Sequence, residues 1–89
     1  MPYIKKEQRE KYLSPIEELV SILNSQSKDS LDGQVNYVIT VLMKRVYKPD
    51  SYNTLNSAIG VLESIKQEFY RKVVVPYEED KERDNGEVI

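Results

Sequence analysis

The chain has no cysteine, no histidine and no tryptophan, and its three glycines stand far apart at Gly33, Gly60 and Gly86. Without cysteine there is no disulfide or thiolate site, and without histidine no imidazole–metal site. The same absences exclude Ser–His and Cys–His nucleophile systems. Scattered glycines form neither a P-loop nor a dinucleotide fingerprint. A calcium loop can be laid over Asp80, Glu82 and Asp84 as its first, third and fifth positions. It fails, because Asn85 then stands where glycine is needed and the closing glutamate would fall past the last residue. Acid–base chemistry needs only two or three convergent Glu, Lys or Tyr side chains, yet no spacing gathers them. The expectation is a non-enzymatic protein with no catalytic residue, no metal site and no cofactor.

Long apolar runs are missing too. Nothing approaches the ~20 residues of a membrane helix. The start, "MPYIKKEQREKYL", has no apolar stretch after its basic residues and does not read as a signal peptide. A soluble, cytoplasmic protein with no membrane partner is expected.

Eighty-nine residues allow one small domain. A chain of this size buries roughly 60–65% of the surface its unfolded form exposes, which leaves a thin core. Small proteins offset that deficit with disulfides, metals or oligomerisation. Here only well-packed helices, self-association or both remain. The net charge of −2 is unevenly laid out: residues 78–89 hold six acids (Glu78, Glu79, Asp80, Glu82, Asp84, Glu87) against Lys81 and Arg83, leaving residues 1–77 at +2. The expected organisation is a helical domain over 1–77 and an acidic C-terminal segment over 78–89. The mildly basic body argues against strong binding of duplex nucleic acid, which calls for a pronounced basic stripe.

Apolar spacing predicts three amphipathic helices. "SPIEE" announces the first, with Ser14 as N-cap, Pro15 at the first helical position and Glu17 closing a capping box. Ile16, Leu19, Val20 and Leu23 then follow at helical spacing, and the polar "NSQSKDS" ends it. Asp32 is a plausible cap for the second helix, whose stripe is Val35, Val38, Ile39, Leu42, Met43 and Val46. "KPDSYN" supplies the next break. The third and longest helix starts around Asn53 and carries Leu55, Ala58, Ile59, Leu62, Ile65, Phe69 and Val73. Short connections favour antiparallel neighbours, so the expected fold is all-α, a small three-helix or four-helix bundle with a long C-terminal helix and an acidic tail. "KKEQREKYL" can form a short helix ahead of it, and "NGE" reads as a turn. "RKVVVPY" also permits a strand, since valine favours strands, but a single strand has no partner here. Helix to about Val75, ended or kinked at Pro76, is favoured.

Seven tyrosines with one phenylalanine is an unusual aromatic set. Several stand beside bases: Tyr3 with Lys5, Lys6 and Arg9, and Tyr70 with Arg71 and Lys72. A flat ring with a nearby cation suits a nucleotide-like ligand, which stacks its base and pairs its phosphates. The plain alternative is that the rings complete the periphery of a thin core with their hydroxyls in water. At 100° per residue from Leu55, Tyr70 falls near 60°, Glu63 near 80° and Val74 near 100°, a flank beside the core stripe. Tyr70 could wall a pocket there, with Glu63 as acceptor. Arg71, near 160°, would serve a neighbour, a ligand or solvent. Glu63 also stands three residues before Lys66, and an ordinary surface ion pair accounts for it equally well.

"MPYIK" at the start, "NYVIT" at 36–40, "IGVLES" at 59–64 and "EFYRKVVVPYEEDK" at 68–81 resemble a family of short uncharacterised proteins from bacteriophages, bacteria and archaea, a domain of unknown function. "NGEVI" at the end is similar to the "ENGDV" ending of that family. The resemblance spans essentially the whole chain and brings no assigned activity. It implies a phage-type genomic setting, hence the host cytoplasm, and draws attention to residues 1–5, Arg9, Glu63, Tyr70, Arg71, Pro76, Tyr77, Asn85 and Gly86. Where that family often has two arginines after the tyrosine, this chain has Arg71 and Lys72. A bidentate role at the second position therefore does not carry over.

The functional expectation is a homo-oligomer that binds a small anionic, nucleotide-type ligand near the chain ends, for example a phage counter-defence protein that sequesters a nucleotide immune signal of the host. Tyr3, Tyr70 and Tyr77 would stack, Lys5, Arg9 and Arg71 would hold phosphates, and Glu63 would accept a hydrogen bond. The alternative is a protein-interaction module, a phage inhibitor or adaptor of a host protein that works through the helical flank and the acidic tail.

Overall fold

The computed structural model describes residues 4–87. It is all-α: α1 spans Lys6–Asn24, α2 Leu31–Val46, α3 Tyr52–Phe69 and α4 Val75–Asn85, with a π-helical turn, Tyr70–Val74, joining α3 to α4. No strand occurs among the described residues, so "RKVVVPY" is helical throughout. The chain divides into two compact units, the first ending at Lys48 and the second beginning at Pro49.

In the first unit, α1 corrects the expected start at Ser14. The helix begins nine residues earlier, after an extended Lys5, and Pro15 lies inside it. Gln8 reaches back, its Oε1 accepting the Lys5 backbone N–H at 3.2 Å, while the Gln8 N–H donates to the Lys5 carbonyl at 2.9 Å. An interior proline forfeits one helical hydrogen bond and crowds a carbonyl, at a cost of about 3 kcal/mol. The Lys, Glu, Gln, Arg and Leu residues before it are good helix formers, and their combined preference carries the helix across. The short "KKEQREKYL" helix and the "SPIEE" helix are thus one. It ends as expected in the polar run, where the Ser25 hydroxyl and the Gln26 side-chain amide both donate to the Ile22 carbonyl, at 2.7 and 3.0 Å.

A tight turn, with Ser30 N–H donating to the Ser27 carbonyl at 3.1 Å, returns the chain into α2. The residue that precedes α2 is Ser30, and the expected cap Asp32 instead lies in the first turn, where its charge complements the helix dipole. The two helices touch. Leu19 and Leu23 of α1 and Leu31, Val35, Val38 and Met43 of α2 are half-buried, whereas Ile39, Leu42 and Val46 of the expected stripe stay exposed.

The second unit opens with a complete cap. Extended Ser51 accepts the Thr54 N–H on its hydroxyl at 3.1 Å, and the Thr54 hydroxyl donates to Asp50 at 3.0 Å. From there residues 52–85 are helical without interruption. Pro76 neither ends this helix nor leaves it unaltered. It lacks an N–H for the Lys72 carbonyl, and its ring would press on that carbonyl in an α-helix. The turn before it widens: the Val75 N–H donates to the Tyr70 carbonyl, five residues back, and Pro76 then sits in the first turn of α4. The wheel angles counted at 100° per residue therefore do not extend past Tyr70. The acidic segment is helical as far as Asn85. Gly86, at φ 89°, ends it with its N–H on the Glu82 carbonyl at 2.8 Å, the conformation that glycine adopts without strain.

Burial is the unusual property. Among the described residues only Ala58 is buried, at 9% exposure. Ile59 of α3 is 66% exposed and Phe69 59%.

Candidate functional site

The widened turn is where the candidate residues concentrate. Tyr70 and Arg71 open it, Glu63 lies two helical turns earlier, and Tyr77 lies one turn into α4. All four belong to the second unit. Lys5 and Arg9 belong to the first: Lys5 precedes α1, and the Arg9 Nε donates to the Ile4 carbonyl at 3.3 Å. Tyr3 lies outside the described residues. Among the described residues no hydrogen bond or ion pair joins one of the four second-unit candidates to another.

Glu63, Arg71 and Tyr77 each have a partner on the same helix. Glu63 accepts a hydrogen bond from the Gln67 side chain at 3.0 Å and pairs with Lys66 at 3.6 Å. Together they hold its carboxyl below the ordinary value of 4.5, the Gln67 bond contributing most and the Lys66 charge next. Because folding lowers this pKa, the stabilisation is present above pH 4.5 and is lost as pH falls through the depressed value. Gln67→Ala should return the Glu63 carboxyl toward 4.5 further than Lys66→Ala does. Carboxyl NMR titration reads this directly, and equal or reversed effects would contradict the assignment.

Arg71 pairs with Glu68 at 2.6 Å, the arginine side chain 66% exposed and the glutamate 23%. That geometry holds the guanidinium along the helix while leaving most of it open to a ligand or a neighbouring chain. Tyr70 is exposed, and Tyr77 carries the Lys81 ammonium over its ring at 5.6 Å. An exposed cation–π pair of this kind contributes about 0.5–1 kcal/mol, so a ligand can displace it at small cost. What this segment offers is two accessible rings, Tyr70, followed in sequence by Arg71, and Tyr77, with the Lys81 ammonium over it. This is chemistry for stacking and charge pairing. Among the described residues no cluster of acids converges to hold a metal ion.

A second surface was not foreseen from the sequence. On α2, Tyr37 is 70% exposed and walls a shallow, open depression with Gly33 and Lys44, beside the Thr40 hydroxyl, which donates to the Asn36 side chain at 3.2 Å. No helix among the described residues is long and apolar enough to cross a membrane.

A family model described as "Domain of unknown function (DUF6899)" matches residues 1–88. No curated protein and no solved structure matches the chain.

Proposed function

We propose that this chain, which belongs to the DUF6899 family, is a non-enzymatic homo-oligomeric binding protein for a small anionic, nucleotide-like ligand. The observation that carries the oligomer is the scarcity of buried residues: among the described residues only Ala58 is buried, while many apolar side chains on α1, α2 and α3 are exposed. Such exposure in a chain without disulfides marks surfaces that other protein covers. The ligand chemistry rests on Tyr70 and Tyr77 with Arg71 and Lys81 at the widened turn; π-turns are frequent at functional sites. In a phage setting the ligand would be a nucleotide immune signal of the host, and the activity its sequestration.

The helical acidic segment favours a second reading, a module that grips a basic surface of a host protein. Residues 75–85 are ordered as helix with no buried side chain, so five acids and two bases are fully presented.

A thermal-shift panel of cyclic and ADP-ribose-type nucleotides separates the two readings. A ligand at 100 times its Kd adds about 2.7 kcal/mol, which for a protein this small raises Tm by on the order of 10 °C. Tyr70→Ala should weaken that binding about 10–100-fold through lost stacking. A flat panel would sink the nucleotide reading. Capture of a host protein that is lost on truncating residues 78–89 would then favour the second.

A further inference from the structure

The continuous helix of residues 52–85 carries a row of exposed apolar side chains at intervals of four: Val61, Ile65, Phe69, Val73 and Tyr77. In an uninterrupted α-helix such a row winds about 40° around the axis at each step. The π turn falls between Phe69 and Val75, and a wider turn advances less per residue. It therefore holds Val73 and Tyr77 closer to the line of the first three. The row is also symmetric. Ile65 and Val73 stand four residues to either side of Phe69, and Val61 and Tyr77 stand eight.

Charge is distributed asymmetrically along the same helix. Residues 52–62 contain no charged side chain, and 75–85 contain five acids against two bases. The start of α3 is the positive end of its helix dipole and has no acid in its first turn. Pairing two such helices in parallel sets one acidic α4 against another. Pairing them antiparallel sets each acidic α4 against residues 52–62 of the partner, which carry no charge, with Asp50 at the cap falling past the end of α4. At 1.5 Å per residue the helix is about 50 Å long. One face about 10 Å wide therefore covers on the order of 500 Å² in each copy, near the lower bound of a specific interface.

We infer that a second copy of this chain covers the row in antiparallel orientation, with Phe69 meeting Phe69 on a twofold axis, Ile65 opposite Val73 and Val61 opposite Tyr77. The inference deepens the homo-oligomer reading and rests on it. A self-complementary contact of this kind closes on itself. In that arrangement Tyr77 belongs to the contact, and an anion at the axis is held by Tyr70 and Arg71 of both copies, which lie within a turn of it.

The absence of cysteine makes the test clean. Val61→Cys and Tyr77→Cys proteins are prepared separately, each checked for helicity by circular dichroism, then unfolded together, refolded and treated with a short bis-maleimide. Covalent dimer should form several-fold more in the mixture than with either variant alone. Ile65→Cys with Val73→Cys is the second pair, used if either first variant loses its helix. Cross-linking of each variant with itself, with no gain on mixing, would indicate parallel pairing and overturn the inference. So would native mass spectra showing oligomers that no pair can cross-link; either result leaves the homo-oligomer reading standing. Monomers throughout would remove both.

Discussion

Phe69→Glu is expected to convert the assembled protein into monomers that keep their helices. Phe69 is more than half exposed in the single chain, so covering the remainder in two copies contributes about 2–4 kcal/mol. The substitution removes that and also places two carboxylates at the centre of an apolar contact, where unpaired charge is strongly disfavoured. A loss of about 4 kcal/mol or more corresponds to a dissociation constant raised about a thousandfold. Analytical ultracentrifugation over a concentration series measures it. An unchanged sedimentation coefficient at micromolar protein would show that this row is not the contact.

Pro76→Ala should have the opposite effect on the isolated chain and a damaging one on the site. With an N–H restored at position 76 and the ring gone, the reason for the widened turn disappears. The Val75 N–H is then expected to move from the Tyr70 carbonyl to that of Arg71, four residues back, and the helix to become α throughout. Local stability should rise by about 1–3 kcal/mol, the scale of the penalty for proline inside a helix. Amide exchange at residues 72–77 reads that gain. The cost is phase: each residue after the turn rotates relative to α3, which carries Tyr77 off the apolar row. Weaker ligand binding and weaker self-association are expected together with the added stability. A variant that becomes more stable and retains both would show that the π turn has no functional part.

How much of this was legible in the sequence can be judged from particular residues. The α3 stripe from Leu55 to Phe69 was plain from spacing, as was the break at "KPDSYN"; "NGE" was legible as a turn but not as the end of a helix. The Glu63–Lys66 pair was legible because residues three apart on a helix are neighbours. Ser14 misled because its local signature, serine, proline and a following glutamate, is the same whether or not a helix already runs in from upstream. Only the summed preference of residues 6–13 decided it. The π turn was hidden for a related reason. Pro76 announces that an α-helix is disturbed, but ending, kinking and widening all satisfy it, and three valines give no further choice among them. Arg71 was legible as exposed, whereas its bond to Glu68 depends on side-chain geometry that spacing does not fix.

The sequence by itself determined that the chain is helical, that its chemistry excludes thiol, imidazole and phosphate-loop sites, and where its tyrosines and bases lie. Those properties follow from composition and from periodicity along single helices, which are local. The tertiary structure decided how far each unit covers its own apolar faces: in the first, Leu19, Leu23, Val35 and Met43 are half-buried, and in the second Ala58 is buried while Phe69 stays exposed. Burial depends on what lies across from a face, and no pattern within one helix encodes that. It also decided that residues 52–85 form one continuous helix with a widened turn at Tyr70–Val74. The exposed row keeps its line past Phe69 only because the backbone took that course.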